Sequence, residues 1–199
     1  ESSAASDVYK RQILITSLLY SMDKIANTCG HYDAYRRNGD LSKKLELSLP
    51  IPDSGLKSNQ IYNEDANELV KNIEADLVYI DPPYNSRQYC DAYHLLENVA
   101  SWKKPTVSGV AKKMNRDNLK SDYCTTKATQ AFRNLIKDIK AKYILLSYNN
   151  MEAKGNDRSN AKISDADIME ILQEKGEVKV FSKKYKSFTA GKSNIQDNE

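Results

Sequence analysis

The stretch Leu77-Val78-Tyr79-Ile80-Asp81-Pro82-Pro83-Tyr84 constrains this chain more than any other. Four successive apolar residues, β-branched and aromatic among them, predict a strand buried on both faces. Such strands belong to parallel sheets covered by helices. The strand has to stop at Asp81, because Pro82 and Pro83 each fix φ and neither has an N–H to donate to a ladder. A second buried strand is expected at Tyr143–Ser147, a weak one at Gln60–Tyr62, and an alternating one at Val178–Phe181. Helical spacing predicts helices over Ile13–Cys29 (ended by Gly30), Ala66–Ile73, Tyr89–Trp102 and Lys127–Lys140. The helix over Lys127–Lys140 turns Phe132, Leu135, Ile136 and Ile139 inward. A last helix runs from a Ser164 cap to Lys175, with Gly176 beyond it. Residues 31–58 and 103–126 read as long polar loops. Alternating strands and helices give an α/β class: a mainly parallel sheet with right-handed crossovers and helices on its faces.

Composition excludes more than it identifies. The chain is 40% hydrophobic and 29% charged, as ordinary globular proteins are. No apolar run approaches the ~20 residues that cross a bilayer, so a cytoplasmic protein with no membrane partner is expected. Cys29, Cys90 and Cys124 are scattered and odd in number, and only two histidines are present. That pattern predicts reduced thiols and no metal site. The segment Ser2–Gln12 lacks the apolar core of a signal peptide and resembles the in-frame translation of a transposase sequencing adapter. Residues 1–12 are therefore expected to be a foreign leader, with a partial domain over 13–199.

In open α/β sheets, sites form at the carboxyl ends of strands, which is where Asp81 falls. A rigid loop offering the Asp81 carboxylate and the Pro82 carbonyl presents two acceptors with no competing donor from either proline. That suits methylation of an exocyclic amine, whose lone pair is delocalised into a ring and whose nitrogen is a poor nucleophile. Two acceptors would hold the amino group, favour a pyramidal nitrogen and receive the developing positive charge. Tyr84 adds a flat face on which an extruded base can stack.

With its flanks, Asp76 to Tyr89 resembles the catalytic strand and loop of bacterial DNA adenine-N6 methyltransferases. The resemblance extends from Leu14 to about Asp197. It implies a partial Rossmann-like sheet, S-adenosylmethionine as donor, and adenine N6 in duplex DNA as target, reached by base flipping. It implies catalytic roles for Asp81, Pro82, Pro83 and Tyr84, with Asp81 also near the cofactor. Asp65, in Ile61-Tyr62-Asn63-Glu64-Asp65-Ala66, matches the acid that meets the cofactor's adenine amino group in that family, and it also fits a helix N-cap. Tyr93-His94 matches a weaker motif, and His94 is expected to be a partly buried, hydrogen-bonded histidine. Ser147-Tyr148-Asn149-Asn150 ends the next strand on the same side and is expected to shape the target-base pocket, mainly through Ser147, Tyr148 and Asn149.

One departure from the family pattern matters. Its Phe-x-Gly-x-Gly loop cradles the methionine part of the cofactor, whereas the seven glycines here include no Gly-x-Gly pair. A missing upstream loop and a missing last strand are expected, and with them weak cofactor binding and an inactive fragment.

The Lys103–Lys127 stretch holds seven basic residues against two acidic ones, and Lys179–Lys192 holds five lysines and no acid. Both suit phosphate contacts. Lys112, Lys113 and Arg116 are the named DNA-contact candidates, and His31–Arg37 mixes aromatic and basic groups on a loop. The expected partners are double-stranded DNA and, in a restriction-modification system, a cognate endonuclease. Two rival readings remain: an amino-methyltransferase acting on RNA or a protein glutamine, and a non-catalytic nucleic-acid-binding module. Asp rather than Asn at position 81 favours DNA adenine, and an intact amine-gripping acid argues against a binding-only module.

Overall fold

The computed structural model describes residues 2–28, 31–33, 38–40, 42–51, 58–110, 112–149 and 161–182. In chain order its elements are α1 (Ser2–Ile25), α2 (Ala66–Leu69), β1 (Glu74–Ile80) and α3 (Tyr89–Ala100). There follow β2 (Val107–Ser108), β3 (Lys113–Met114), α4 (Ala128–Asp138), β4 (Lys140–Leu146) and α5 (Asp165–Gln173). The chain divides into two compact units, one formed by Glu1–Ile61 with Cys90–Asp117, the other by Tyr62–Tyr89 with Asn118–Glu199.

The second unit carries the parallel sheet. β1 and β4 pair in parallel, from Glu74 opposite Lys140 to Ile80 opposite Leu146. The Ser147 N–H donates to the Ile80 carbonyl at 2.9 Å, so the ladder runs one residue past β4 and the carboxyl ends of the two strands finish side by side. Val78, Ile80, Ile144 and Leu146 turn to the face that meets α4 and α5, where Phe132, Leu135, Ile136, Ile139, Ile163, Ile168 and Ile171 form the core. The inward residues predicted for α4 are all there. α5 starts as expected, with the Ser164 hydroxyl accepting from the Asp167 N–H at 3.0 Å, and the Gly176 N–H closes it on Leu172. Arg133 of α4 ion-pairs with Glu170 and Glu174, joining the outer surfaces of the two helices.

Several expectations need correcting. β1 and β4 are not buried on both faces: Leu77, Tyr79, Tyr143 and Leu145 are 52–70% exposed. The apolar run alternates as a one-faced strand does, because among the described residues of this unit the helices α4 and α5 pack on one side. Gln60–Tyr62 and Val178–Phe181 are not strands, so the parallel sheet among the described residues has two strands. The first of these segments is followed directly by the Asp65 cap and α2. The second is highly exposed, Val180 at 71% and Phe181 at 87%, and pairs with no strand among the described residues. α2 is a single turn rather than a helix to Ile73.

The first unit contains α1, which runs continuously from Ser2 to Ile25, through the segment read as a leader, and stops short of Gly30. Cys29 and Gly30 lie outside the described residues. Among the described side chains of α1, Ser17 and Ser21 are buried, whereas Leu18, Leu19, Met22 and Ile25, which helical spacing would turn inward, are half-buried; Ser17 donates to the Ser48 carbonyl at 2.8 Å. The stretch read as a polar loop after Trp102 holds the antiparallel β2–β3 hairpin. Gly109 turns it at φ +71°, a conformation that costs a glycine little. No described helix is long and apolar enough to cross a membrane, and among the described residues no cluster of His, Cys, Asp and Glu is arranged to hold a metal ion.

Candidate active site at the carboxyl ends of the parallel strands

Asp81 is the first residue beyond β1 and Ser147 the first beyond β4, so adjacency of the strands sets their loops next to each other. Asp81 is exposed, and among the described residues no basic side chain forms an ion pair with it. Pro82 and Pro83 are half-buried behind it, and Tyr84 is 37% exposed.

The loop is held at four points. The Tyr84 carbonyl accepts from the Lys162 N–H at 2.7 Å. The Tyr148 ring stands edge-on to the Tyr84 ring, centroids 6.4 Å apart and planes at 80°, an arrangement aromatic quadrupoles favour. At the exit, Gln88 and Ser121 exchange two bonds: Gln88 Nε2 donates to the Ser121 carbonyl at 3.1 Å, and the Ser121 N–H donates to Gln88 Oε1 at 2.7 Å. The buried Cys124 thiol donates to the Arg87 carbonyl at 3.4 Å. Gln88, Ser121 and Lys162 were not foreseen. Their partners lie far off in sequence, and the one local signal was Ser121 ahead of Asp122, where its hydroxyl caps a short 3-10 helix.

Asp65 acts as the N-cap of α2, accepting from the Asn67 N–H at 2.9 Å. Asn67 is itself fixed, donating to the Ala131 carbonyl at 2.8 Å and accepting from the Tyr123 hydroxyl at 2.9 Å. Burial, helped by the Asp65 charge, raises the Tyr123 pKa, so this phenol stays protonated. Of the cofactor contacts the resemblance implies, Asp65 is observed as the cap of α2, and the sequence has no paired glycines for the methionine part. Gly39, Gly109 and Gly176 are isolated. A recess of about 470 Å³ lined by Glu74, Asp76, Lys140 and Lys142 opens at the amino ends of the strands, away from Asp81.

The basic candidates belong to the first unit. Lys112 is exposed, at φ 51° beside the hairpin. Lys113 ion-pairs with Asp33, and Arg116 with Asp91 at 2.7 Å while donating to the Met114 carbonyl at 2.5 Å. Two of the three named cations are thus engaged within their own unit. His94 is 8% exposed with Nδ1 at 3.1 Å from the Asp91 carbonyl, the buried, hydrogen-bonded histidine expected. Ala34–Arg37, Asn150 and the lysines at 183, 184, 186 and 192 lie outside the described residues.

Comparison with known proteins shows the family. A family profile described as D12 class N6 adenine-specific DNA methyltransferase matches residues 1–156. The modification methylase StsI of Streptococcus sanguinis is 46% identical over 165 residues, covering 81% of this chain and 24% of that protein. The type II methyltransferase M.NlaIII of Neisseria lactamica is 35% identical over 189 residues, covering 94% of this chain and 53% of that protein. M.FokI of Planomicrobium okeanokoites is 38% identical over 138 residues, 68% of this chain and 21% of its own length. The chain therefore spans between about a fifth and a half of these relatives. No solved structure gives a significant match. A rigid acid-proline-proline-aromatic loop at the end of a parallel strand and a profile covering most of the sequence lead to one assignment: the chain belongs to the D12 class of N6 adenine-specific DNA methyltransferases.

Proposed function

We propose that the protein carrying these residues methylates adenine N6 in duplex DNA at a specific site, within a Rossmann-like domain and as part of a restriction-modification system. The observation that carries this reading is the seating of Asp81-Pro82-Pro83-Tyr84 at the carboxyl end of β1, beside the end of β4. There the Asp81 carboxylate and the Pro82 carbonyl each accept a hydrogen bond from an N–H of the target adenine's amino group. Fixed acceptors favour a pyramidal nitrogen and stabilise the positive charge that grows on it. Tyr84 stacks on the base once it leaves the helix. Ser147, Tyr148 and Asn149 wall the pocket from β4. S-adenosylmethionine is the methyl donor, with the carboxylate of Asp65 toward its adenine. The sequence holds no Gly-x-Gly pair to cradle its methionine part.

DNA phosphates are met by the hairpin unit, through Lys112 first and through Lys113 and Arg116 if they exchange their carboxylate partners for phosphate. Names of the relatives support a cognate endonuclease as a biological partner: StsI and LlaI are named as modification methylases, NlaIII and FokI as type II methyltransferases. The test of the DNA surface is the salt dependence of duplex binding. Replacing Lys112, Lys113 and Arg116 with Ala should weaken binding and lower the slope of log K against log salt by roughly one per lost phosphate contact. An unchanged affinity and slope would remove the hairpin unit from the DNA surface.

A further inference from the structure

Tyr148 packs differently from a residue that waits for a base. Its ring lies against the core beneath the strand ends, and its hydroxyl is already engaged on both sides. The hydroxyl oxygen accepts from the Ile163 N–H at 3.2 Å, and its O–H points to the Tyr84 carbonyl across a long 3.4 Å. A phenol has one proton to donate and can accept as well, so both uses are compatible. The same Tyr84 carbonyl takes the 2.7 Å bond from the Lys162 N–H. Burial, the largest influence on Tyr148, raises its pKa, which keeps the donating proton in place at neutral pH.

We propose that Tyr148 is a positioning residue: with the turn at Lys162-Ile163 it clamps the Tyr84 backbone and, edge-on, sets the angle at which the Tyr84 ring faces an incoming base. This rests on the function proposed above and replaces direct base contact by Tyr148. The three parts act together. Lys162 fixes the height of the Tyr84 carbonyl, Tyr148 ties that carbonyl to the Ile163 amide, and the edge-to-face contact orients the ring. The core packing of Tyr148 and the burial of Ile163 (1% exposed) make the clamp stiff.

Base contact and clamping predict different losses. A ring that only touches the base survives Tyr148→Phe, whereas a clamp working through the hydroxyl does not. In the full-length protein, with mixed-sequence duplex DNA and labelled S-adenosylmethionine, Tyr148→Phe should lower kcat about three- to tenfold, as loss of one hydrogen bond in the transition state would. KM for DNA should stay within about twofold. In a Tyr84→Ala background the same substitution should change kcat by less than about twofold, because no ring remains to be aimed. Ile171→Val, a core change with no link to the loop, should leave kcat unchanged and so separates positioning from general softening. Full kcat in Tyr148→Phe, a rise in KM alone, or a fully additive loss on top of Tyr84→Ala would each overturn the proposal. Failure of the functional reading is seen separately, as absence of N6-methyladenine from the unmodified enzyme. The clamp is then decided by amide hydrogen exchange: faster exchange at Lys162 and Ile163 in Tyr148→Phe, with α4 unchanged, supports it, and unchanged exchange at both refutes it.

Discussion

At Asp81 the chain ends a strand with a carboxylate and then removes two backbone donors in a row. The result is a short loop rich in acceptors, whose stiffness comes from proline rings rather than from secondary structure. Its place at the strand end was legible in the sequence because the residues are contiguous and their order encodes the stop. The bonds that brace the loop were not legible: Gln88 reaches Ser121 across 33 positions and Tyr148 reaches Tyr84 across 64. Nothing local marks such partners. Asp65 fell between these cases, since a cap and a cofactor contact use the same residue type. Its N-cap bond to Asn67 is now fixed by geometry, whereas the cofactor contact rests on resemblance.

Two ionisations at this scale make checkable predictions. The Tyr123 pKa is raised in the fold, so its contribution to stability is complete below the ordinary value of 10.0 and is lost as pH rises beyond it. The second unit should therefore lose stability above about pH 10, and Tyr123→Phe should flatten that loss. Denaturant melts of both proteins from pH 8 to 11 would reveal it, and parallel curves would count against it. At Asp33, burial pushes the pKa up, but the bond and charge of Lys113 outweigh it and the net shift is down from 3.8. That contribution is present above the unfolded value and fades as pH falls through the lower folded one. Asp33→Asn should remove this acid-side loss from the first unit.

Among the elements, α4 was predicted nearly to the residue, because a helix with one apolar stripe leaves a periodic trace. Phe132 at its centre is 1% exposed. Phe132→Ala should cost the second unit about 3–5 kcal/mol, read as a fall in denaturation midpoint. A loss under about 1 kcal/mol would mean that the core is not packed as described. The strands were harder to read. Continuous apolar runs at 77–80 and 143–146 suit a strand covered on both sides, but a sequence does not say what covers it. In the fold Leu77 lies opposite Tyr143 and Tyr79 opposite Leu145, leaving an open apolar face. Such a face should bind an apolar fluorescent dye, and Tyr143→Lys with Leu145→Lys should abolish most of that signal. Equal dye binding by the variant would show that the face is covered in solution. The β2–β3 hairpin escaped notice because two-residue strands are too short to show a period of two.

For the whole molecule, family membership is shown by the profile, whereas the donor site expected from the resemblance is matched only at its acidic positions. Asp65 and Asp81 are present and the Gly-x-Gly cradle is not. Calorimetric titration of the 199-residue chain with S-adenosylmethionine should therefore show no micromolar binding. A micromolar Kd would mean that other residues form the cradle. The charge distribution was visible in the sequence, but its use was not, since Lys113 and Arg116 proved to be ion-paired within their unit.

The central claim is that Asp81 grips the amino group of adenine, and it is tested most directly by methyl transfer from labelled S-adenosylmethionine to mixed-sequence duplex DNA. The assay uses the full-length protein encoded by the gene that carries these residues, beside its Asp81→Ala variant, with the methylated product identified by mass. The account predicts N6-methyladenine from the unmodified enzyme, its loss by at least about 10²-fold in Asp81→Ala, and DNA binding retained in both. Label in RNA or in a protein glutamine with none in DNA, or N6-methyladenine formed equally well by Asp81→Ala, would contradict it.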